Sequence, residues 1–593
     1  MRPRRLVSAL LLLAVAMLAA TLATAADDKK QDAAATPRFT SRAELVLVPA
    51  IVTERGGAHV SGLTKNDFVV RDNGVEQTIA TFEEIKASSA PVHRAPAINA
   101  TYTNQLTSGG EARRINILAI DLINTPIVDQ EVAKAELIKF LERSAGSNQL
   151  TTVLALSPSG FKVVHDFTSD TRILIAALKK LRGTPHVMAG ENTEAEAEAA
   201  AGLTLLNTFN ADPTKIMLTE LVRATEAKWA QMARASAVHT TLDAFRDIAH
   251  AYSGVPGRKA LIWITGSFPF VIEKVMPSME SQPSSASNGF CLCDRIDPNS
   301  FGFATRWKQI MEELNAANIS VYPVDARGLS VRGFSAASTN PISGGGSKKT
   351  DAGFALDLAI QYQSQVDAHT ATLDTMANIA EMTGGRAFYN TNDIATAAER
   401  AADDSSQYYV LGFYRKPKRG EKPNWHALQV KVKREHAAIR ARSGYLVTEN
   451  VTAEQTLRAD LASVVSSPFD FSGVPLWFRV NDQTASGEPG GKKQVRFVIG
   501  LNPGAFSIDA DSNNLVSLEF VVIARDAKMQ MADQRNRHMQ ANLNAETMAK
   551  VTTDGLTYQN QLVLAPGDYS VRVAVRDNVT GRMGSLQAPL RVE

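Results

Sequence analysis

The sequence predicts a multidomain protein: a doubly wound α/β domain inserted in a β-sandwich, followed by a C-terminal immunoglobulin-like β-sandwich. Three observations predict it. Between 113 and 404, runs that are apolar throughout alternate with helical stretches, the pattern of a parallel sheet covered on both faces. On either side, 39–85 and 405–447 each carry three strand-like runs, too few for an independent core, so they are expected to complete one another. From 455 to 593, six strand-like runs separated by turn residues suit a sandwich of the immunoglobulin or fibronectin type.

In chain order, Arg2, Arg4 and Arg5 precede the apolar run Leu6–Ala23, which ends in a small-x-small pattern at Ala23–Ala25. Residues 1–25 therefore read as a secretory signal peptide, and 26–38, rich in Ala, Asp, Lys and Gln, as a flexible leader. Glu44–Val52 reads as a strand. Phe68–Phe82 reads as a hairpin, because Asn73–Gly74 supplies the positive φ values that a two-residue turn needs. Residues 86–112, with Ser, Pro, Asn and Gly and no periodicity, read as a linker.

The α/β segment, 113–404, opens on the apolar strand Ile115–Ile120, which ends in Asp121. A helix follows to about Arg143, then a hairpin (Thr151–Leu156, Phe161–Phe167) and a helix capped by Ser169–Asp170. Lys259–Ile264 and Ile319–Val324 are further buried-type strands. Helices are expected near 217–251, 307–317 and 372–382, and Arg386–Tyr389 begins the last strand. Beyond it, Gln407–Tyr414, Trp425–Lys433 and Ile439–Tyr445 return to the first sandwich. In the C-terminal domain the strand-like runs are 475–480, 494–501, 515–525, 557–564, 569–577 and 585–592.

Composition excludes several classes. Of 593 residues, 44% are hydrophobic and 21% charged, ordinary globular values that fit neither wholesale disorder nor a polytopic membrane protein. Lys and Arg number 63 against 61 Asp and Glu; cleavage after Ala25 removes three arginines and no acid, turning +2 into −1. No bulk field attracts nucleic acid, and no membrane span is expected after signal cleavage. Cys291 and Cys293 are the two cysteines, too few for a disulfide framework or, alone, a zinc site. The basic run Arg415–Lys422 reads as a solvated hairpin loop, with contact to an anionic surface as its sharper alternative. The Gly/Ser stretch Ser343–Thr350 lacks phosphate-loop spacing, and no H-E-x-x-H, G-x-S-x-G or G-x-G-x-x-G occurs.

The stretches Gly62–Phe68, Ile117–Thr125, Ala380–Gly385, Tyr408–Phe413, Val430–Lys433 and Arg440–Tyr445 carry a family resemblance. The α/β segment resembles a von Willebrand factor type A domain, and the chain over about 40–450 resembles the bacterial VWFA-related domain proteins, which are exported. The resemblance implies a metal-ion-dependent adhesion site at the carboxyl edge of the sheet. There an Asp and two hydroxyls from D-x-S-x-S, a loop Thr and a second Asp hold Mg²⁺ through hard oxygens. Asp121 matches the first Asp and Thr125 the second hydroxyl, and Thr184 stands where the loop Thr would. Ile123 replaces the first hydroxyl, and Thr265–Gly266–Ser267 lacks the second Asp. The site is thus degenerate: no cofactor is certain, a divalent cation such as Mg²⁺ is one reading, and Asp121 and Thr125 fixing the loop backbone is the other. Ser157, Ser267 and Asp325 share that edge and form a candidate ligand rim.

The functional expectation is an extracytoplasmic, periplasmic or secreted, non-catalytic binding or assembly protein. It would recognise a protein or glycan partner in the envelope or outside the cell through this edge. The alternatives are a structural envelope scaffold without a ligand site and a hydrolase of envelope or extracellular polymer. An exposed apolar patch near Asp121 and Ser267 would favour partner binding; a deep pocket with perturbed carboxylates or histidines would favour the enzyme.

Overall fold

The computed structural model describes residues 44–87, 101–105, 113–183, 236–266, 303–328, 370, 372–416, 424–447, 461–487, 491–510 and 512–593. Outside the described residues lie the expected signal peptide and leader, Thr184, Ser267, Cys291, Cys293, the stretch 343–350 and most of the basic run. The chain divides into two compact units. The smaller comprises 1–46 and 414–420, and within it Arg415 donates to Glu44 at 2.7 Å. The larger comprises 47–413 and 421–593 and is described below.

The strands before the α/β region are β1 (Glu44–Glu54), β2 (Phe68–Asp72), β3 (Val75–Gln77), β4 (Thr81–Lys86) and β5 (Thr101–Thr103). Then come β6 (Ile115–Asp121), α1 (Ile127–Arg143), β7 (Leu150–Ser157), β8 (Gly160–Thr168) and α2 (Thr171–Lys180). They are followed by α3 (236–251), β9 (Lys259–Thr265), α4 (Phe303–Ala316), β10 (Ile319–Asp325), α5 (372–383) and α6 (Ile394–Asp403). Next are β11 (Gln407–Arg415), β12 (Asn424–Val432), β13 (Ala437–Ala441), β14 (Gly444–Val447) and a short helix α7 (461–466). The last domain holds β15 (Leu476–Ala485), β16 (Lys493–Leu501), β17 (Leu515–Asp526), β18 (Met531–Asn542), α8 (Ala545–Asp554), β19 (Leu556–Leu564), β20 (Gly567–Asp577) and β21 (Met583–Val592).

The first and last of the β segments flanking the α/β region share two sheets, ordered β13-β1-β11-β4 and β14-β12-β2-β3. Ile51 lies opposite Arg440, Phe82 opposite Leu411, and Val70 opposite Val430, all antiparallel. Between the sheets the rings of Phe68 and Phe82 meet Tyr409 at 5.3 and 5.7 Å. The Tyr409 hydroxyl is satisfied there, donating to the Val60 carbonyl (2.7 Å) and accepting from the Leu63 amide (3.2 Å). Asn73 and Gly74 turn the β2–β3 hairpin at φ 48° and 81°. The single strand expected over Ile439–Tyr445 is in fact two strands in different sheets. It breaks at Arg442–Ser443, where Arg442 is buried and donates to the Leu47 carbonyl (2.8 Å) and the Ser443 amide donates to the Glu381 carbonyl (3.0 Å).

The α/β sheet runs β10-β9-β6-β7-β8, parallel except for β8, and Phe388 adds a parallel bridge to Val324 outside β10. Side chains alternate along β6: Ile115, Ile117 and Ala119 point to one core, Leu118 and Ile120 to the other. The first core is covered by α3, α4 and α5, with Phe245 edge-on to Trp263 at 5.0 Å. The second is covered by α1, α2 and α6 through Leu137, Phe140, Leu174 and Ala398. Burial on both faces is why these strands read as unbroken apolar runs.

In the last domain, sheets β19-β16-β15-β5 and β18-β17-β20-β21 enclose a core that includes Phe478, Phe497, Phe520 and Val573. Two of these strands differ from expectation. β5 comes from the stretch read as a linker: it pairs with β15, and the Asn104 side chain holds the Phe471 and Val474 carbonyls (2.6 and 2.9 Å) and the Leu476 amide (2.9 Å). β18 carries no buried residue, so it shows no apolar alternation to read. The outer face of β17 and β20 is also covered, because Val521, Ile523 and Ala574 join the α3-side core with Phe161, Tyr252, Phe469 and Phe471. Among the described residues, no helix is long and apolar enough to cross a membrane.

Candidate functional site at the carboxyl edge of the sheet

Parallel register sets the edge. Asp121 lies level with Leu156, and Asp325 with Thr265, so Ser157, Asp121, Thr265 and Asp325 form one row across four strand ends. Asp121 is fully buried. One carboxylate oxygen accepts the amides of Ile123 (3.0 Å) and Asn124 (2.9 Å); the other accepts Asn124 Nδ2 (2.8 Å) and the Thr265 hydroxyl (2.9 Å). Four donors match the four lone-pair positions of an ionised carboxylate, and all four come from the protein. Thr125 is equally committed, its Oγ1 accepting the Gly266 amide at 2.8 Å. Gln130, one turn into α1, donates to the Leu122 and Thr125 carbonyls (3.2 and 2.8 Å). Gly266 admits the tight crossing, since a Cβ there would stand 2.9 Å from Pro126.

This is loop-fixing geometry: Asp121 accepts two backbone amides and two side-chain donors, which surround both of its carboxylate oxygens, and Thr125 accepts a third amide. Burial pushes the Asp121 carboxyl up to about 6, with the Asn124, Thr265 and Ile123 hydrogen bonds opposing the rise. It is therefore ionised at neutral pH. Asp325 is held as a bidentate pair by Arg327 (2.9 and 3.0 Å) and also caps the Arg327 amide. Asp129, half-buried beside that pair, is raised by burial, with Arg327 opposing. Ser157 accepts or donates to Ser159 (3.0 Å) and donates to the Gly160 carbonyl (2.9 Å), closing the β7–β8 turn. Thr184 and Ser267 lie outside the described residues, and among those described no three His, Cys, Asp or Glu side chains gather as metal ligands.

Asn124 and Arg327 are the edge residues that sequence reasoning missed. Asn124 supplies two of the four bonds to Asp121 and also reaches Thr241 on α3 (3.2 Å). An Asn three residues after a strand-end Asp is a local signal for such a turn; Arg327, two residues past Asp325, has the same local character.

The opposite edge of the same sheet holds a second buried charge. Lys259 is fully buried at the start of β9, donating to the Val255 and Gly257 carbonyls (2.6 and 3.0 Å), and burial pushes its ammonium down to about 7. The unfolded chain still binds this proton up to about pH 10.4, so Lys259 is expected to make stability rise between pH 7 and 10. Below pH 7 the cost of the buried ammonium is present in full. Urea unfolding at pH 7 and 9 should show wild type gaining a few kcal/mol relative to Lys259→Met; equal pH responses would refute the assignment.

No family model matches the chain, and no curated protein matches it. Among solved structures, a β-glucuronidase from glycoside hydrolase family 2 aligns with 31% of this chain and 19% of its own length, at 10% identity and a TM-score of 0.13. The chain spans about a fifth of that structure, and so weak an overlap carries no argument about function.

Proposed function

We propose that this chain is an exported, non-catalytic binding and assembly protein. Its α/β domain, read as von Willebrand A-like, would engage a partner protein at the carboxyl edge without a bridging metal ion, displayed between the split sandwich and an immunoglobulin-like terminal one. The observation that carries this reading is the exposure of Ile127 (44%), Val128 (72%) and Val132 (47%) on the first turns of α1, directly after the loop that Asp121 fixes. Apolar side chains on a rigid, hydrogen-bonded rim are what a protein interface uses at its centre. Their chemistry favours protein over glycan.

The experiment is site-directed crosslinking from positions on α1 in the native envelope, comparing wild type with Val128→Asp/Val132→Asp. A discrete adduct that the variant loses, at unchanged melting temperature, is the expected result. The continuous core between the α/β domain and the last sandwich, together with the saturated Asp121, favours a second reading, a scaffold with no ligand site. No α1 adduct in wild type would leave that reading standing.

A further inference from the structure

We propose that the cleft between the α/β domain and the first sandwich is a docking groove for an extended acidic segment of a partner polypeptide, which adds to it as a β-strand. This site includes none of the α1 residues Ile127, Val128 and Val132 and does not depend on that reading. The cleft encloses about 850 Å³ and is walled by the 385–400 stretch on one side and by β12 and β13 on the other.

Two strand edges line it. Phe388 turns its amide and carbonyl toward β10, donating to the Pro323 carbonyl (2.8 Å) and accepting from the Asp325 amide (2.9 Å). The backbone groups of its neighbours Ala387 and Tyr389 therefore face away from β10, into the cleft. The same alternation applies to β13. The Val52 carbonyl is taken by the Val60 amide (2.9 Å) on the side away from β13, which leaves Ile51 and Thr53 facing Arg440 and Ala438. The amides and carbonyls of Ile439 and Ala441 consequently point outward, into the same cleft. Among the described residues β13 ends its sheet and this edge pairs with no strand; the Gly384 backbone lies against it at the Ala441–Arg442 end. Just beyond, the Ser443 amide bonds the Glu381 carbonyl in the last turn of α5 (3.0 Å), which closes that end of the edge.

The charge over these edges is basic. Arg386 and Arg400 are exposed, and among the described residues neither has a carboxylate partner; Arg386 lies over the Phe388 ring at 5.3 Å. Arg440 and Arg442 line the inner wall but are committed to Asp404 and Glu312. Of the lining acids, Asp393 is occupied capping α6 through Thr396 (2.7 and 3.0 Å), and Glu381 is the other. Open backbone selects an extended chain, and two uncommitted guanidinium groups select one bearing carboxylates.

The test is fluorescence anisotropy with the full chain and a labelled peptide of alternating Glu and Val, about eight residues long. The same peptide N-methylated at alternate amides, a Lys/Val peptide and free succinate serve as comparators. Saturable binding is expected, at least about tenfold weaker for the N-methylated and lysine peptides and for Arg386→Ser/Arg400→Ser. The exposed-site control Arg172→Ser and the α1 variant Val128→Asp/Val132→Asp should bind as wild type. Equal binding of the N-methylated peptide, displacement by succinate at matched carboxylate concentration, unchanged affinity in the double arginine variant, or no saturable binding would each overturn the proposal.

Discussion

Asp121→Ala is expected to destabilise the α/β domain by about 3–5 kcal/mol, because it strands four buried donors. The amides of Ile123 and Asn124 should lose hydrogen-exchange protection first, since the carboxylate is their acceptor. Asp121→Asn should cost about 2 kcal/mol, because its amide nitrogen must confront a donor wherever it points. Urea unfolding followed by tryptophan fluorescence reads both, with Trp263 buried two residues from Thr265 as the local reporter. The same geometry predicts that added Mg²⁺ leaves the wild-type midpoint where it was. A midpoint that rose with Mg²⁺ in wild type, and stayed put in Asp121→Ala, would restore the adhesion-site reading.

A comparable effect is expected at Gly254, in the turn between α3 and β9. A Cβ on this residue would stand 1.8 Å from the Ser472 carbonyl oxygen and 2.5 Å from its carbon, which are backbone atoms and cannot swing aside. Three hydrogen bonds tie the segments together here: the Ser472 amide and hydroxyl both donate to the Ala251 carbonyl (2.9 and 2.6 Å), and the Gly254 amide donates to the Ser472 hydroxyl (3.1 Å). Phe469 and Tyr252 pack edge-on beside them at 6.0 Å. Gly254→Ala should therefore pry the last sandwich from the α/β domain, costing about 3 kcal/mol or more. Calorimetry should then resolve two transitions where wild type melts more cooperatively. Gly56→Ala, where a Cβ meets nothing within 4 Å, is the neutral control.

The sequence makes the parallel strands legible because β6, β7, β9 and β10 are buried on both faces, and such runs advertise themselves over seven or eight residues. It also places Asp121, Thr125, Ser157 and Asp325 at one edge, since strand ends are fixed once the strands are. What it hides depends on distant partners. β5 is three residues long and is a strand only because β15, more than 370 positions away, pairs with it. β18 buries no residue fully and shows no apolar alternation, so its assignment comes from the β17 ladder and from no pattern of its own. The switch of sheets at Arg442 follows from a cationic side chain reaching back to Leu47. The arginine-lined cleft is assembled from stretches near 386, 400 and 440, and no short window contains it. Asp121 illustrates the middle ground: its position is readable, whereas its role turns on Asn124 and Thr265, whose side chains the spacing alone does not aim.

The interleaved pairing of the first sandwich has a consequence for synthesis. β1, β2 and β4 leave the ribosome early, yet their partners β11, β12 and β13 begin only at Gln407, about 320 residues after β4 ends. At roughly 5–20 residues per second, those early strands wait on the order of 15–60 s with bare edges, and β5 waits longer still for β15. The nascent chain is thus most vulnerable at its beginning. A holding factor bound there during translation, or a pause that brings the later strands out together, would protect it more than any mutation that strengthens the finished fold.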